Sequence, residues 1–253
     1  MGCCFSCICS DNSKEVELFS MEIINEGKVR KIYKCGSSIG PLVCKTIPIK
    51  TNSWKREIPT LKSLVGMDEY FQQFSHITRT ETEICIFSRL VHGSDFYNYI
   101  DRNDFDECDA KPFMKELVKA VFKLHEHGIW HLDIKPENIV CRNEDLSDLV
   151  LIDFGHSLFH KREKNFILLN RGTTGYSSPE QLKGLCTAKG DVWSIGVTTY
   201  VAIFKRYPVK DYQKNISALT DPVLAELLHM ILQKDVGQRI SIEELYNHPW
   251  INK

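Results

Sequence analysis

The sequence predicts an α+β protein with two lobes, a smaller one rich in strands and a larger one mostly helical. Three observations carry this reading. From Met21 to about Lys50 the apolar residues alternate or come in β-branched runs, as in "KVRKIYKC" and "PLVCKTIPI". In "KPFMKELVKAVFKLHEHG", Phe113, Leu117, Ala120, Val121 and Leu124 recur at helical spacing. Further on, "GDVWSIGVTTYVAIF" is apolar on every side, as a helix in the middle of a core must be.

Taken in order, residues 1–19 read as a tail, because "DNSKEVE" is polar and unpatterned. Strands follow to about Lys50. "SWKREIPTLKSLV" has helical spacing interrupted by Pro59, and "EICIFSRLV" reads as another strand. The long helix of the second part is expected to start at Pro112 and end at Gly128. "DLVLIDFG" is a short continuous apolar strand, and "VLAELLHMILQK" and "SIEELYNH" are amphipathic helices. The expected division is a tail over 1–19 and a folded domain over 20–253, with lobes at about 20–88 and 93–253.

A chain of 253 residues with 43% apolar and 26% charged residues can bury a full core. Its net charge of -1 excludes a wholesale nucleic-acid binder. No run approaches the roughly 18 apolar residues of a spanning helix. Of ten cysteines, four fall in the first nine residues and the others are scattered without paired spacing. That scatter points to a reduced, intracellular protein rather than a disulfide framework.

The chemistry lies in "HLDIKPENIV" (131–140) and "LIDFG" (151–155). Together they offer two aspartates, a lysine and an asparagine within a short span. Phosphoryl transfer needs metal ions on the phosphate oxygens, a carboxylate to orient the attacking hydroxyl, and a nearby cation. Asp133, Lys135, Asn138 and Asp153 are the right residue types for all three.

These stretches resemble the eukaryotic-type protein kinases. "HLDIKPEN" resembles the H-R-D-x-K-x-x-N catalytic loop and "DFG" the metal-binding triplet. Lys45 in "LVCK" stands where the family has the lysine of V-A-I-K, and Glu57 about where its αC glutamate falls. "RGTTGYSSPE" resembles G-T-x-x-Y-x-x-P-E, and "GDVWSIGV" and "GQRISIEELYNHPWI" resemble the F-helix start and the C-terminal close. The likeness runs in order over roughly residues 20–253.

The resemblance implies a bilobal kinase fold and roles position by position. Asp133 would orient the substrate hydroxyl and Lys135 would contact the transferred phosphate. Asn138 and Asp153 would hold Mg²⁺, with Mn²⁺ as an alternative. Lys45, supported by Glu57, would hold the α- and β-phosphates of ATP. Phe154 would set the packing of the triplet, Asp191 would brace the catalytic loop, and Glu180 would pair with Arg239. His131 would be a packing residue. Lys135 and the Gly172-Thr173 pair resemble the serine/threonine branch, so protein substrates are the implied partners. Thr173 and Thr174 fall in the activation segment. Glu137 reads equally as a solvated loop residue or a contact for basic substrates. "HKREK" (160–164) reads first as a solvated loop, and second as a contact for an acidic substrate or a membrane.

Departures from the pattern matter. The loop over the phosphates should lie on "NEGKVRKI", yet Asn25 and Arg30 replace two of its glycines, leaving Gly27, with Ile32 at the valine position. Side chains there hinder the close approach of backbone amides to phosphate. Leu132 replaces the arginine that would hold an activation-loop phosphate, so activity should not depend strictly on that phosphorylation. Pro59, two residues after Glu57, should leave the αC helix short, kinked or late. The interval from "FKRYPV" to "VLAELL" leaves little room for a substrate-docking helix.

The opening "MGCCFSCICS" lacks the basic region and long apolar core of a signal peptide. Cys4, Cys7 and Cys9 have some zinc-ligand spacing but no distant second pair. Met1-Gly2 followed by Ser6 matches the N-myristoylation pattern. One myristoyl chain anchors weakly, and Cys3 and Cys4 would supply palmitoylation as the second signal. The expectation is an ATP-dependent serine/threonine kinase on the cytoplasmic face of a membrane through acyl chains, with no nucleic-acid partner. Its rival is a kinase-like scaffold, weak or inactive because of the glycine loop.

Overall fold

A computed structural model describes residues 16–27, 30–159, 167–168, 172–209 and 211–252. Gly2, Cys3, Cys4 and the "HKREK" segment lie outside the described residues. The chain forms two compact units, divided between His92 and Gly93.

The first unit contains strands β1 (Leu18–Glu26), β2 (Lys31–Ser37) and β3 (Leu42–Pro48), helix α1 (Trp54–Ser63), and strands β4 (Phe74–Arg79) and β5 (Glu83–Arg89). The strands pair antiparallel in the order β1-β2-β3-β5-β4. Side chains alternate across a strand, so neighbouring positions of β3 serve opposite faces. Cys44 packs with Val16, Cys35, Leu42 and Phe87 on one face, and Lys45 belongs to the other. β1 begins at Leu18, and Val16 before it is buried. The expected tail through residue 19 is therefore too long, because Val16 and Leu18 complete an apolar layer that the polar residues around them hide from a pattern search. Helix α1 runs through Pro59 but spans ten residues. The proline cannot bond the carbonyl of Lys55, and the buried Ile58, Thr60 and Leu61 hold the helix by packing instead.

The second unit opens with β6 (Ser94–Asp95), α2 (Phe96–Arg102), α3 (Glu107–Glu126) and β7 (Ile129–Trp130). Short strands follow: β8 (Ile139–Cys141), β9 (Leu149–Leu151), β10 (Leu158–Phe159), β11 (Ile167–Leu168) and β12 (Leu185–Cys186). It closes with α4 (Ala188–Phe204), α5 (Tyr212–Ser217), α6 (Pro222–Ile231), α7 (Ile242–Tyr246) and α8 (Pro249–Asn252). Helix α3 starts five residues before Pro112, which overturns the expected start. Asp106 caps it, accepting from Cys108 and Asp109 while Asp109 returns a bond to the Asp106 amide. That reciprocal cap fixes the end more strongly than the proline does. Phe113, Leu117, Ala120, Val121 and Leu124 all lie on its buried side. Helix α4 is buried along nearly its whole length, matching its all-round apolar sequence. The short interval before α6 holds the six-residue α5, seated by buried Tyr212 and Ile216.

Candidate active site

The first unit brings Lys45 and Glu57 together. Lys45 Nζ lies 2.6 Å from Glu57 Oε1, and both side chains are nearly buried. Charges withdrawn this far from water hold only as a pair. Pro59 lies inside α1, and Glu57 still meets Lys45. Ile32 is opposite Lys45 in the β2–β3 register, and Asn25 is opposite Ile32 in the β1–β2 register. Directly opposed residues share a face, so Asn25, Ile32 and Lys45 line one side of the sheet. The Gly27 amide donates to the Arg30 carbonyl at 2.9 Å, tightening the turn between β1 and β2.

In the second unit the loop between β7 and β8 is pinned by Asp191 of α4. Its carboxylate accepts from the amides of His131 (2.8 Å) and Leu132 (2.7 Å) and pairs with His125 Nε2 at 2.8 Å. Leu132 sits at φ 64, a left-handed conformation costly for a branched side chain. It is held there by those bonds, by Gln181 Nε2 donating to its carbonyl at 2.9 Å, and by packing with Trp130, Leu158 and Cys186. The position of the missing arginine is thus filled by a side chain in an apolar cluster.

That loop presents Asp133 to a small polar network. Thr173 Oγ1 donates to Asp133 Oδ1 at 2.7 Å and accepts from Lys135 Nζ at 2.8 Å. Lys135 Nζ is 3.3 Å from Asp133 Oδ2. The Asn138 amide donates to the Asp133 carbonyl (2.8 Å) and to Oδ2 (3.2 Å). Burial pushes the Asp133 carboxyl up, but Lys135, His156, the Thr173 hydroxyl and His131 together outweigh it and hold the group below its ordinary value. A carboxylate kept ionised is suited to accept a hydrogen bond from a hydroxyl and aim it.

Asp153 follows β9 at φ 59, and its Oδ1 accepts from the Gly155 amide at 3.1 Å. The Asn138 carbonyl accepts from the Ile152 amide at 3.0 Å, tying the two stretches together. His131 Nε2 is 3.2 Å from the Ile152 carbonyl, and its ring lies 5.1 Å from that of Phe154, consistent with a packing residue. One carboxylate and one amide oxygen are hard donors that suit Mg²⁺, which takes its other ligands from phosphates and water. The described residues contain no cluster of three or more His, Cys, Asp or Glu able to hold a metal ion by themselves, and such a site needs none.

Glu180 and the buried Arg239 form a two-pronged pair at 2.7 and 2.9 Å. Burial pushes the Glu180 carboxyl up, and Arg239 more than reverses this. Arg239 also donates to the Gln233 and Lys189 carbonyls and lies 5.0 Å from the Trp193 ring. Thr174 and Glu137 are exposed.

Three contributors, His125, Gln181 and His156, escape a motif search, and Thr173, which the motif names, takes a place it does not specify. His125 and Gln181 brace the loop from α3 and from the stretch after Pro179. Thr173 stands between Asp133 and Lys135 rather than free in its segment. His156 Nδ1 accepts from the Gly172 amide at 3.0 Å, which ties the DFG stretch to the Thr173 stretch. Gly172 needs to be glycine, since φ is +87 and a Cβ would lie 2.6 Å from the Leu132 carbonyl. The one available signal was the left-handed demand at Gly172; the other contacts are long-range.

An ionised aspartate, a lysine and hard oxygen donors in one network are equipment for phosphoryl transfer. Among known proteins, residues 19–251 match the family described as "Protein kinase domain", and the chain belongs to that family. It is also 29% identical over 256 residues to the serine/threonine-protein kinase cds1 of Schizosaccharomyces pombe, an alignment covering 92% of this chain and 52% of that protein. The chain spans about half the length of that curated relative.

Proposed function

We propose that the chain is an ATP- and Mg²⁺-dependent protein serine/threonine kinase held at the cytoplasmic face of a membrane by N-terminal acylation. The observation that carries the enzymatic part is the Asp133–Thr173–Lys135 network, with Asn138 bonded to the same aspartate. Asp133, ionised, takes the hydrogen bond of a substrate serine or threonine and orients its oxygen toward the γ-phosphorus. Lys135 sits beside it to meet the negative charge of the moving group. Asn138 and Asp153 hold Mg²⁺, which neutralises phosphate oxygens when bound; Mn²⁺ could substitute. Lys45, kept charged by Glu57, binds the α- and β-phosphates.

Gly2 with Cys3 and Cys4 as acyl sites rests on the sequence pattern alone. Among the described residues no helix is long and apolar enough to cross a membrane. A weak or inactive kinase-like scaffold remains the second reading, favoured by Asn25 and Arg30 in the phosphate loop.

The test is transfer of labelled phosphate from MgATP to the chain and to generic basic proteins, with Asp133→Asn alongside. Transfer by the wild type alone, onto serine or threonine, supports the enzyme. Folded wild-type protein that transfers nothing leaves the scaffold, and label on tyrosine overturns the assigned branch. Metabolic labelling with a myristate analogue, lost in Gly2→Ala, tests the anchor.

A further inference from the structure

Strand β1 is the outer strand of its sheet, and four of its large apolar side chains face solvent. Phe19 is 69% exposed, Ile24 52%, Ile23 49% and Met21 41%. Edge strands ordinarily carry charge or proline in such positions, so an exposed apolar row marks a contact surface. The register assigns the faces. Met21 is opposite Cys35 and Ile23 opposite Tyr33, while Phe19 and Ile24 fall at the two register shifts of the strand. Met21 and Ile23 therefore extend the apolar layer of Val16, Cys35, Leu42, Cys44 and Phe87 toward the edge. This is the face opposite to that of Lys45.

Two further facts choose the occupant. Charges around the row nearly balance: Glu17, Glu22 and Glu26 stand against Lys28, Arg30, Lys31 and Lys34, with Glu26 and Lys31 paired at 2.7 Å. An excess of one basic residue is a weak lure for a polyanion, and the surface suits an apolar phase. The proposed acyl sites are also close in chain length. The stretch from Cys4 to Val16 reaches at most about 43 Å when extended.

We propose that Phe19, Met21, Ile23 and Ile24 rest on the lipid surface, entering the boundary between headgroups and acyl chains. This rests on the acylation proposed above. A single myristoyl chain binds membranes only marginally, and a second apolar contact lengthens its stay. The contact also orients the first unit, with the Lys45 face of its sheet turned away from the lipid.

The test is sedimentation of the N-myristoylated full chain with phosphatidylcholine vesicles, with and without phosphatidylserine, after intact mass has verified the acyl group. The expected result is that Met21→Glu/Ile23→Glu partitions roughly tenfold less than the wild type, with acylation and phosphate transfer in solution unchanged. Wild-type partition should respond only weakly to salt or to phosphatidylserine, since residues 17–34 carry an excess of one basic residue. Equal partition of the double variant and the wild type, while Gly2→Ala falls away, overturns the lipid face and leaves acylation standing. If no acyl group is found, acylation fails. Vesicle binding by the unacylated chain that the double variant loses would then still support the face, and no binding overturns it. A concentration-dependent dimer lost in the double variant gives the face to a second copy instead. A melting temperature lowered alike by deleting residues 2–9 and by the double variant gives it to the tail. Both outcomes overturn the proposal.

Discussion

Thr173→Val is the sharpest probe of the network around Asp133. Valine keeps the shape of the side chain and removes the hydroxyl that donates to Asp133 at 2.7 Å and accepts from Lys135 at 2.8 Å. A hydrogen bond to a charged group contributes about 1.5–3 kcal/mol. The Lys135 side chain is 19% exposed and regains water, so the net loss is close to one such bond. If that bond aims the carboxylate in the transition state, kcat falls roughly 10- to 150-fold. KM for ATP should hold, because Lys45 and Glu57 are untouched. The pH profile gives a second reading. The Thr173 hydroxyl is one of the causes that hold the Asp133 carboxyl below its ordinary value. A depressed carboxyl stays ionised, and useful, down to a lower pH. Removing a depressing cause raises its pKa, so the acid limb of kcat/KM moves to higher pH. Thr173→Ser keeps the hydroxyl and should restore both parameters. Steady-state assays across pH, with thermal melts to verify folding, make the comparison. A valine variant with wild-type kcat and an unmoved acid limb would refute the reasoning.

Arg239→Ala leaves Glu180 as a buried, uncompensated carboxylate, which costs about 3–5 kcal/mol. Differential scanning fluorimetry should show a melting temperature roughly 6–20 °C lower. Without Arg239, burial pushes the Glu180 carboxyl up, so acidification protonates it in the folded state and relieves the penalty, and the gap in melting temperature from the wild type should narrow as pH falls; a change of about 2 °C or less near neutral pH would contradict the pairing. Phosphatase-treated wild type should keep its activity, because Leu132 offers no cation for a phosphate; complete silencing with Thr173 and Thr174 intact would contradict this. Leu132→Arg should lower the melting temperature by forcing a guanidinium among Trp130, Leu158 and Cys186, without making activity depend on phosphorylation. Gly172→Ala, strained by φ and by the Leu132 carbonyl, should cut phosphate transfer about tenfold or more, while the thermal shift given by nucleotide is preserved.

The order of strands and helices was legible because burial repeats every two residues in a strand and every 3.6 in a helix. Helix α4 announced itself by being apolar all round, and α3 by the spacing from Phe113 to Leu124. Where the reading slipped, a local rule lost to a stronger one. Pro112 allows a helix start, but the Asp106–Asp109 cap fixes it earlier. The tail looked polar, yet Val16 is buried because a sheet face needed covering.

The residues proposed for the chemistry, Asp133, Lys135, Asn138 and Asp153, were likewise legible in the sequence, since they lie in two short stretches whose spacing is local. Only the tertiary structure decided what surrounds them. Thr173 reaches Asp133 from 40 residues away, and His125 reaches Asp191 from 66. It also decided that Met21 and Ile23 share the face of Cys35 and stay uncovered. A contact between distant segments leaves no periodic trace in either one, because it is set by how the elements between them pack.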